Sequence, residues 1–484
     1  MGTIVPNRLW SAPVILLISI VARWALVLRG GQYYFSDEGR YETSRAFVDL
    51  LLAGDSSSAF AQLFTAPEHL GFKLIGIIPA LLERLTFESL VLPALFFSLF
   101  SVLNLFLIYK ISQQAGATQQ ESLFALFFAA SSMSLLYFSR HLLPYDSAMT
   151  FGLLAIFIAL TEKPSRKASL LCGALAFLCF ITYNGYWALT GVGMFIHVFR
   201  SNRKPSNLIR KASLTAVGFA LPAILLFLLA SLAETNLLAE YRVFSTTVSQ
   251  GSFEEGWSLP FEYFWHAEHW LFILLFLLSG FAIYSSRQMG LWVVAIIFMY
   301  LCLLIPSVFL HSFVVYGRLA RQMMPFLILL AAGGLVQLKQ GFSFGDKLTK
   351  GILVALVIQA AWNFQRPFSL TYPRDFAEKA QAMYSDFQFS EKRLIFGAPT
   401  LCQNNGDMPE YVKRFEVPPG PDPAIEGEVL LSAKRPENFL PYQYEGYTPQ
   451  ERATLRDMQI EMRLYRAAES FMSDVNPVWK AMRS

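Results

Sequence analysis

Residues 212–233 read ASLTAVGFALPAILLFLLASLA and contain no charged side chain. About 20 helical residues are enough to cross a hydrocarbon core of about 30 Å, so this run can span a lipid bilayer. Arg210 and Lys211 precede the run, and Glu234 follows it. The sequence therefore predicts a transmembrane helix here.

Similar apolar runs recur along the chain as far as residue 364. Of the 484 residues, 54% are hydrophobic and 15% are charged, whereas soluble domains carry about 25% charged residues. The predicted spans lie near residues 9–28, 89–109, 121–139, 146–161, 168–183, 186–199, 212–233, 269–286, 290–310, 323–338 and 351–364. We expect an all-α polytopic membrane helix bundle with about eleven transmembrane helices. Residues 72–82 form a shorter apolar run, for which we predict an interfacial or re-entrant helix.

Composition also excludes some classes of protein. The net charge is only +4, and the basic residues are scattered among short loops, so nucleic acid is not a predicted partner. Cys172, Cys179 and Cys302 lie in predicted spans and Cys402 lies in the polar C-terminal region, which gives no disulfide framework and no metal-ligand spacing.

His266, Glu268 and His269 also stand close together in the sequence, and residues of these types can bind a metal ion. Trp265 and Trp270 flank them, as interfacial aromatic residues do at the end of a membrane helix. We therefore predict no metal and no cofactor, although a divalent cation without a sequence signature stays open.

The distribution of lysine and arginine predicts the orientation in the membrane. Residues 200–211 form a short, densely basic connection, and such connections stay in the cytoplasm. This places the N terminus on the cytoplasmic side of the cell (inner) membrane and the loop after the first helix on the outer face of that membrane. The first apolar run is long for a cleaved signal and lacks a clear small-residue cleavage site, so we expect a permanent helix.

The composition changes near residue 365 to a mixed, charged, proline-containing sequence. Residues 393–398 and 427–433 are typical of short buried strands, and residues 448–451 (TPQE) of a capped helix start. We predict a transmembrane domain over residues 1–364 and a small extracytoplasmic α/β domain over residues 365–484.

The first outer loop, residues 29–88, carries an acidic segment that reads FSDEGRYETSR at residues 35–45. In a helix that starts at Ser36, Asp37, Tyr41 and Arg45 share one face. One interpretation is structural, because acids near a helix start complement its dipole, and Arg45 follows Glu42 at a spacing that allows an ion pair. The other is catalytic, because a carboxylate at the membrane surface can take a proton from an attacking hydroxyl or amine.

Further charged residues stand near the ends of predicted spans. Asp146 either begins a helix or serves a site, and Arg140 either extends its charge to the interface or binds a phosphate. Arg318 and Arg321 lie one helical turn apart, so they either anchor the interface or bind one anionic headgroup. Arg23, inside the first span, faces either the interface or a cavity.

The acidic segment resembles a known family. Asp37-Glu38-Gly39-Arg40-Tyr41 matches the Asp-Glu-x-Arg-Tyr signature of the C-type glycosyltransferases that use polyprenyl-phosphate sugars. Within that family, the chain is most similar to the branch of protein O-mannosyltransferases and lipid A aminoarabinose transferases. The resemblance implies that Asp37 is the general base, that Glu38 assists catalysis, and that Arg40 and Tyr41 bind substrate.

Three later segments are similar to the family in the same order. Residues 68–73 resemble its first-loop Glu-His-Pro-Pro-Leu segment without the two prolines, residues 138–146 its second outer loop, and residues 316–325 its arginine-to-proline entry into a late helix. The resemblance implies substrate-binding roles for His69, Lys73, Arg140, Asp146, Arg318 and Arg321.

Taken together, we expect inverting transfer of a sugar from a polyprenyl-phosphate donor to a lipid, glycan or protein acceptor on the outer face; the inversion and the carrier are implied by the resemblance. A transporter or flippase of lipid-linked or small polar substrates is an alternative, because intramembrane charges also mark transport pathways. The surface position of the acidic motif and the absence of an internal sequence repeat count against it. An oligosaccharide polymerase or ligase is a third option, disfavoured because the loop over residues 234–265 carries Arg242 alone as a basic residue.

Overall fold

A computed structural model describes residues 11–28, 40–65, 67–86, 91–160, 165–200, 204–250, 257–285, 289–310, 317–369, 393–396 and 428–431. Up to Ser369 the regular secondary structure of these residues is helical. Two short strands follow in the C-terminal region.

The helices begin with α1 (Ala12–Leu28), α2 (Tyr41–Leu52), α3 (Ser56–Thr65), α4 (Leu70–Leu85), α5 (Val91–Gln114), α6 (Gln119–Ser131), α7 (Met133–Leu136), α8 (Tyr145–Ala159) and α9 (Arg166–Thr182). They continue with α10 (Trp187–Phe199), α11 (Pro205–Leu232), α12 (Leu237–Gln250), α13 (Leu259–Glu268), α14 (Trp270–Ser285), α15 (Gly290–Leu304), α16 (Gly317–Ala320), α17 (Met324–Gly341) and α18 (Gly345–Ser369). Every predicted span contains one of these helices. Short 3-10 turns link several of them, and a π-helical turn, Ile305–Phe309, continues α15.

Several helices are suited to a lipid environment. Among the described residues, four are long and apolar enough to cross a membrane: Val91–Gln114, Pro205–Leu232, Gly290–Phe309 and Arg321–Gly341. A bent pair, Gln119–Ser131 with Met133–Arg140, makes a fifth if it counts as one span. The chain is therefore a multi-pass integral membrane protein, and the number of eleven crossings stays a prediction.

Two helices form the centre of the bundle. Every residue of α17 from Met324 to Val336 is buried, and this helix packs against α14, α6 and α18. Helix α8 packs against α5, α9 and α10. Where α9 crosses α11, a Cβ added at Gly173 or Gly218 would meet the backbone of the opposite helix. Small residues at such crossings let membrane helices approach closely.

The predicted span over residues 121–139 is a broken helix and not a continuous one. Helix α6 ends before Ser132, whose backbone is extended (φ −77°, ψ 126°), and the chain resumes at an angle of 72° in the single turn of α7. A 3-10 turn, Tyr137–Arg140, follows. The break frees backbone N–H groups at the start of α7, which need acceptors inside the bundle.

The apolar run that we predict to be interfacial or re-entrant is helical and corresponds to α4. One face of α4, which includes Phe72, Lys73 and Glu83, is buried against α2, α9 and α5. Apolar side chains such as Leu82 and Leu85 remain exposed on the other face. This pattern fits a helix that lies along the bundle, with its outer face towards lipid.

Little of the predicted C-terminal domain is described. Strands β1 (Arg393–Phe396) and β2 (Glu428–Leu431) fall within the two runs predicted as strands and pair in parallel, with Arg393 opposite Glu428. Helix α18 continues to Ser369, five residues past the predicted domain boundary at residue 364. The remainder of the predicted α/β domain lies outside the described residues.

Candidate functional site

The acidic motif meets the described structure at Arg40. Asp37 and Glu38 lie outside the described residues, as does the predicted helix start at Ser36. The described helix α2 begins at Tyr41, with Arg40 as its N-terminal cap residue. Arg40 and Tyr41 therefore stand at the junction between the motif and a well-packed helix.

A buried carboxylate on α4 binds the start of α2. Glu83 accepts hydrogen bonds from Tyr41 Oη at 2.7 Å and from Arg45 Nη2 and Nε at 2.8 and 3.2 Å. Arg45 Nη1 also lies 3.1 Å from Glu42, which confirms the ion pair predicted from their spacing. Burial, followed by the hydrogen bond to Glu83, raises the pKa of Tyr41, so its phenol stays a neutral donor. We call Tyr41, Arg45 and Glu83 the α2–α4 clamp.

Lys73 is a buried lysine on the same α4 helix. Its Nζ lies 3.7 Å from Glu68, and its backbone oxygen accepts a 2.8 Å hydrogen bond from Ser44 on α2. Burial, and to a smaller extent the positive charge of Arg40, lower the pKa of Lys73 to about 8 against the opposing effect of Glu68. Two predicted substrate-binding cations, Arg40 and Lys73, are therefore close enough for the charge of one to affect the pKa of the other.

His69 caps the N terminus of α4 in a left-handed conformation, with φ 53° and ψ 37°. That conformation is uncommon for a residue other than glycine and marks a locally constrained backbone. The His69 ring lies 5.0 Å from the ring of Tyr183, which in turn lies 4.8 Å from Tyr145 and 5.0 Å from Tyr186. A line of aromatic rings therefore leads from the first outer loop towards the centre of the bundle.

At the inner end of this line, Arg321 forms an ion pair with Asp146. Both side chains are buried, although the two residues are 175 positions apart in the sequence. Arg321 Nε donates to the backbone oxygen of Ser134 at 2.6 Å, and Nη1 approaches Tyr186 Oη at 3.5 Å. The backbone oxygen of Asp146 accepts a 3.0 Å bond from Asn104. A predicted acid and a predicted phosphate-binding arginine thus neutralise each other inside the protein.

Arg140 joins the same region through aromatic contacts. Its guanidinium lies 4.9 Å from the centre of the Tyr137 ring, and its Nε donates to His141 Nε2 at 3.0 Å. Phe138 packs edge to face on Tyr145, with centroids 5.0 Å apart, and lies 5.3 Å from the Arg321 guanidinium. The rings that connect the charged residues are Tyr137, Phe138, Tyr145, Tyr183 and Tyr186, and we call this group the aromatic chain.

The predicted site residues whose side chains are described fall into two groups. His69, Arg140, Asp146 and Arg321 border the aromatic chain, whereas Arg40 and Tyr41 lie at the start of α2 and Lys73 lies on α4. Arg318 belongs to α16, one turn before Arg321, and its side chain is outside the described atoms. Within the part of the chain that is described, no group of three or more His, Cys, Asp or Glu side chains is arranged to hold a metal ion.

Two buried charges complete this region, and sequence reasoning did not place them. Arg23 faces the interior, where Nε donates to Ser101 Oγ at 2.8 Å and Nη2 to the Leu135 oxygen at 3.3 Å. Glu268, which the sequence places between two histidines without a metal-binding role, accepts hydrogen bonds at the start of α7. The one available signal was an ionisable residue in an apolar context, which does not identify its partner.

An apolar groove of about 300 Å³ lies between later helices of the bundle. It is formed by α13, α14, α15 and α17 and reaches Met323, two residues after Arg321. Its other lining side chains include Phe261, Phe264, Phe276, Ile297 and Leu327. Such a surface suits a hydrocarbon chain better than a polar substrate.

No family model and no curated protein sequence matches the chain. Among solved structures, ArnT from Cupriavidus metallidurans in the apo state is similar, with a TM-score of 0.51, 11% sequence identity and 83% of each chain covered. ArnT from the same organism bound to undecaprenyl phosphate gives a TM-score of 0.47 and 12% identity over 83% of this chain and 84% of that one. The Archaeoglobus fulgidus oligosaccharyltransferase in complex with Zn and sulfate gives 0.43 and 13%, over 79% and 60%. The similarity to apo ArnT confirms the C-type glycosyltransferase fold that the acidic motif led us to expect.

Proposed function

We propose that this protein is a membrane glycosyltransferase that moves a sugar, with inversion, from a polyprenyl-phosphate donor to an acceptor on the outer face. One observation carries the proposal. His69, Arg140, Asp146 and Arg321, which come from separate segments resembling the family, border one aromatic chain. They do so in a fold shared with ArnT, a lipid A aminoarabinose transferase.

The charges suggest which cation meets the donor phosphate. Arg321 has a buried counter-ion in Asp146, whose side chain is 7% exposed, so this pair is internally neutral. Lys73 has a counter-ion in Glu68, which is 34% exposed and lies 3.7 Å away. A phosphate can replace such a loosely held carboxylate and gain charge-assisted hydrogen bonds. We therefore assign the donor phosphate to Lys73 together with Arg40.

The acidic motif supplies a base close to that phosphate. Asp37 precedes Arg40 by three residues, and three extended residues span about 10 Å at most. In the proposed reaction, an acceptor oxygen or nitrogen attacks the anomeric carbon from the side opposite the phosphate, and its proton passes to Asp37. The bond between the anomeric carbon and the phosphate oxygen breaks, and the lipid phosphate leaves with the bonding pair. Lys73 and Arg40 stabilise its growing negative charge.

The apolar groove supports a lipid carrier. It is large enough for a segment of an isoprenoid chain, and its walls expose aromatic and aliphatic carbon almost exclusively. Contact with these walls would hold the donor by apolar burial, while its headgroup stays with the charged residues.

The test is release of free polyprenyl phosphate by reconstituted protein supplied with polyprenyl-phosphate sugars. We expect wild type to release it, and Asp37→Asn to be slower by at least about 100-fold, because general base catalysis typically contributes 10²–10⁴-fold. Asp49→Asn on α2 is the matched control, since Asp49 is 44% exposed and pairs with Arg84. Equal rates for wild type and Asp37→Asn would remove Asp37 as the base. Movement of intact donor across the bilayer without release would favour a flippase.

A further inference from the structure

Glu268, the last residue of α13, is fully buried at the break between α6 and α7. Ser132 Oγ donates to its carboxylate at 2.6 Å, and the backbone N–H groups of Met133 and Ser134 donate at 2.9 and 2.8 Å. These are the N–H groups that the helix break leaves without helical acceptors. One side chain from a distant outer segment thus satisfies the start of α7.

The opposite end of α7 is held by positive charges. Arg321 donates to the Ser134 oxygen at 2.6 Å, and Arg23 donates to the Leu135 oxygen at 3.3 Å. A carboxylate at the N-terminal end of a helical turn and guanidinium groups at its carbonyls both match the direction of the peptide dipoles. The single turn of α7 therefore lies between Glu268 on one side and the Arg321–Asp146 pair on the other.

This arrangement links Glu268 to Arg321 through one residue. Ser134 donates its N–H to Glu268 and accepts from Arg321 through its oxygen. The backbone conformation of Ser134 fixes where Arg321 Nε finds its acceptor, and Nη2 of the same guanidinium then reaches Asp146. Loss of the carboxylate would leave buried N–H groups unsatisfied and release α7 to rotate.

We propose that Glu268 is a positioning residue that orients Arg321 against Asp146 by fixing α7. The inference rests on the proposed glycosyl transfer for its effect on rate, but the coupling of Glu268 to Arg321 does not depend on that activity. Because Lys73 lies on α4 and Arg40 caps the start of α2, whereas Glu268 binds the start of α7, the donor KM should change little when Glu268 is altered.

The experiment is a double-mutant cycle between Glu268→Gln and Arg321→Lys, with Glu240→Gln on α12 as the control. A glutamine presents an NH₂ group to donors, so it cannot accept all three bonds. We expect Glu268→Gln to lower kcat about tenfold or more in the wild-type background, because the Arg321–Asp146 pair borders the aromatic chain of the candidate site and small misplacements of groups that line an active site are costly. In the Arg321→Lys background the same change should cost less than about twofold, because the lysine cannot bridge Ser134 and Asp146.

Ser132→Ala provides a milder variant that removes one of the three bonds, with an expected fall in kcat of about threefold. The same cycle is also followed by melting temperature in detergent, which requires no turnover. Equal effects of Glu268→Gln in both backgrounds, on kcat and on melting temperature, would overturn the inference. If wild type releases no lipid phosphate, the proposed function fails, and the melting temperatures alone decide whether Glu268 positions Arg321.

Discussion

Two cations of the candidate site have different electrostatic surroundings. Arg321 lies in the bundle with a buried carboxylate beside it, whereas Lys73 is buried next to a partly exposed glutamate and near another cation. An arginine keeps its charge in almost any protein setting, but a buried lysine loses its proton readily. Lys73 is therefore the one of these two cations whose charge can change within an ordinary pH range.

The charge of Lys73 predicts the pH dependence of donor capture. Its pKa of about 8 means that the ammonium form predominates below pH 8 and the neutral amine above it. Since only the ammonium attracts the donor phosphate, we expect kcat/KM for the donor to fall as the pH rises through about 8. The pH dependence of kcat/KM reports pKa values of the free enzyme. Binding of the donor phosphate therefore does not shift the pKa that this alkaline decrease reports.

Lys73→Arg is the informative variant, because its guanidinium stays charged and should remove the alkaline fall. Lys350→Arg is the control, since Lys350 is 75% exposed on α18 and should leave the profile as in wild type. An alkaline limb that persists unchanged in Lys73→Arg would assign it to another group.

At the residue scale, the sequence predicts local pairs better than distant ones. The ion pair between Glu42 and Arg45 follows from their spacing of three residues and is present. Asp146 and Arg321 were both candidate site residues, but Arg321 was expected to face a lipid headgroup with Arg318. Its partner comes from a helix 175 residues away, and no helical spacing encodes that contact.

At the scale of elements, the α2–α4 clamp connects the acidic motif to the bundle. Glu83 binds both Tyr41 and Arg45, and Gly76 on α4 lies against Ser44 so closely that a Cβ there would collide with it. These contacts hold the first turn of α2 against α4. Because Arg40 directly precedes Tyr41, the clamp fixes the position of the Arg40 backbone. It also limits how far Asp37, three residues earlier, can lie from Arg40.

We predict that Glu83→Gln destabilises the protein by about 3 kcal/mol, because it removes one charge of a buried, hydrogen-bonded pair and leaves Arg45 poorly compensated. A lower melting temperature in detergent checks this, and release of lipid phosphate should fall with it. Asp49→Asn breaks an exposed ion pair between the same two helices, Asp49 with Arg84, and should cost no more than about 1 kcal/mol. Equal melting temperatures for Glu83→Gln and Asp49→Asn would contradict a stabilising role for the clamp.

The elements themselves show what the sequence could and could not predict. Each predicted span contains a helix, because apolar length is a local property that the bilayer imposes on every crossing. The break at Ser132 was not predicted, since nothing in residues 121–139 demands it. It is stabilised by Glu268, which lies 136 residues further on and satisfies the N–H groups that the break exposes.

At the scale of the whole molecule, four of the buried charged side chains are arranged around the short helix α7. Asp146 faces Arg321, and Glu268 and Arg23 bind opposite ends of the turn. An uncompensated charge in such an interior costs several kcal/mol, so this balance lets the bundle hold polar groups at its centre. Within the described part of the chain, these charges lie beside the aromatic chain, which is also bordered by the predicted site residues His69 and Arg140.

The native cysteines allow a test of how this fold is oriented in the membrane. Cys172 and Cys179 are buried between helices, and Cys302 lies in α15, inside a candidate span. Cys402 falls in the polar region that we predict to be extracytoplasmic. A membrane-impermeant maleimide should therefore label wild type in intact right-side-out membrane vesicles, and should fail to label Cys402→Ser.

The logic of this experiment rests on the parity of the crossings. With the basic connection over residues 200–211 inside, an odd number of spans puts Cys402 and the acidic motif on the same, outer side. Labelling of Cys402 only after the vesicles are permeabilised would place the C-terminal region inside and give an even number of crossings. The outer location of Asp37 would then need its own evidence, such as labelling of a cysteine introduced at Ser57, an exposed residue in the first turn of α3. Labelling at both positions without permeabilisation is the outcome that the proposed reaction at the outer face requires.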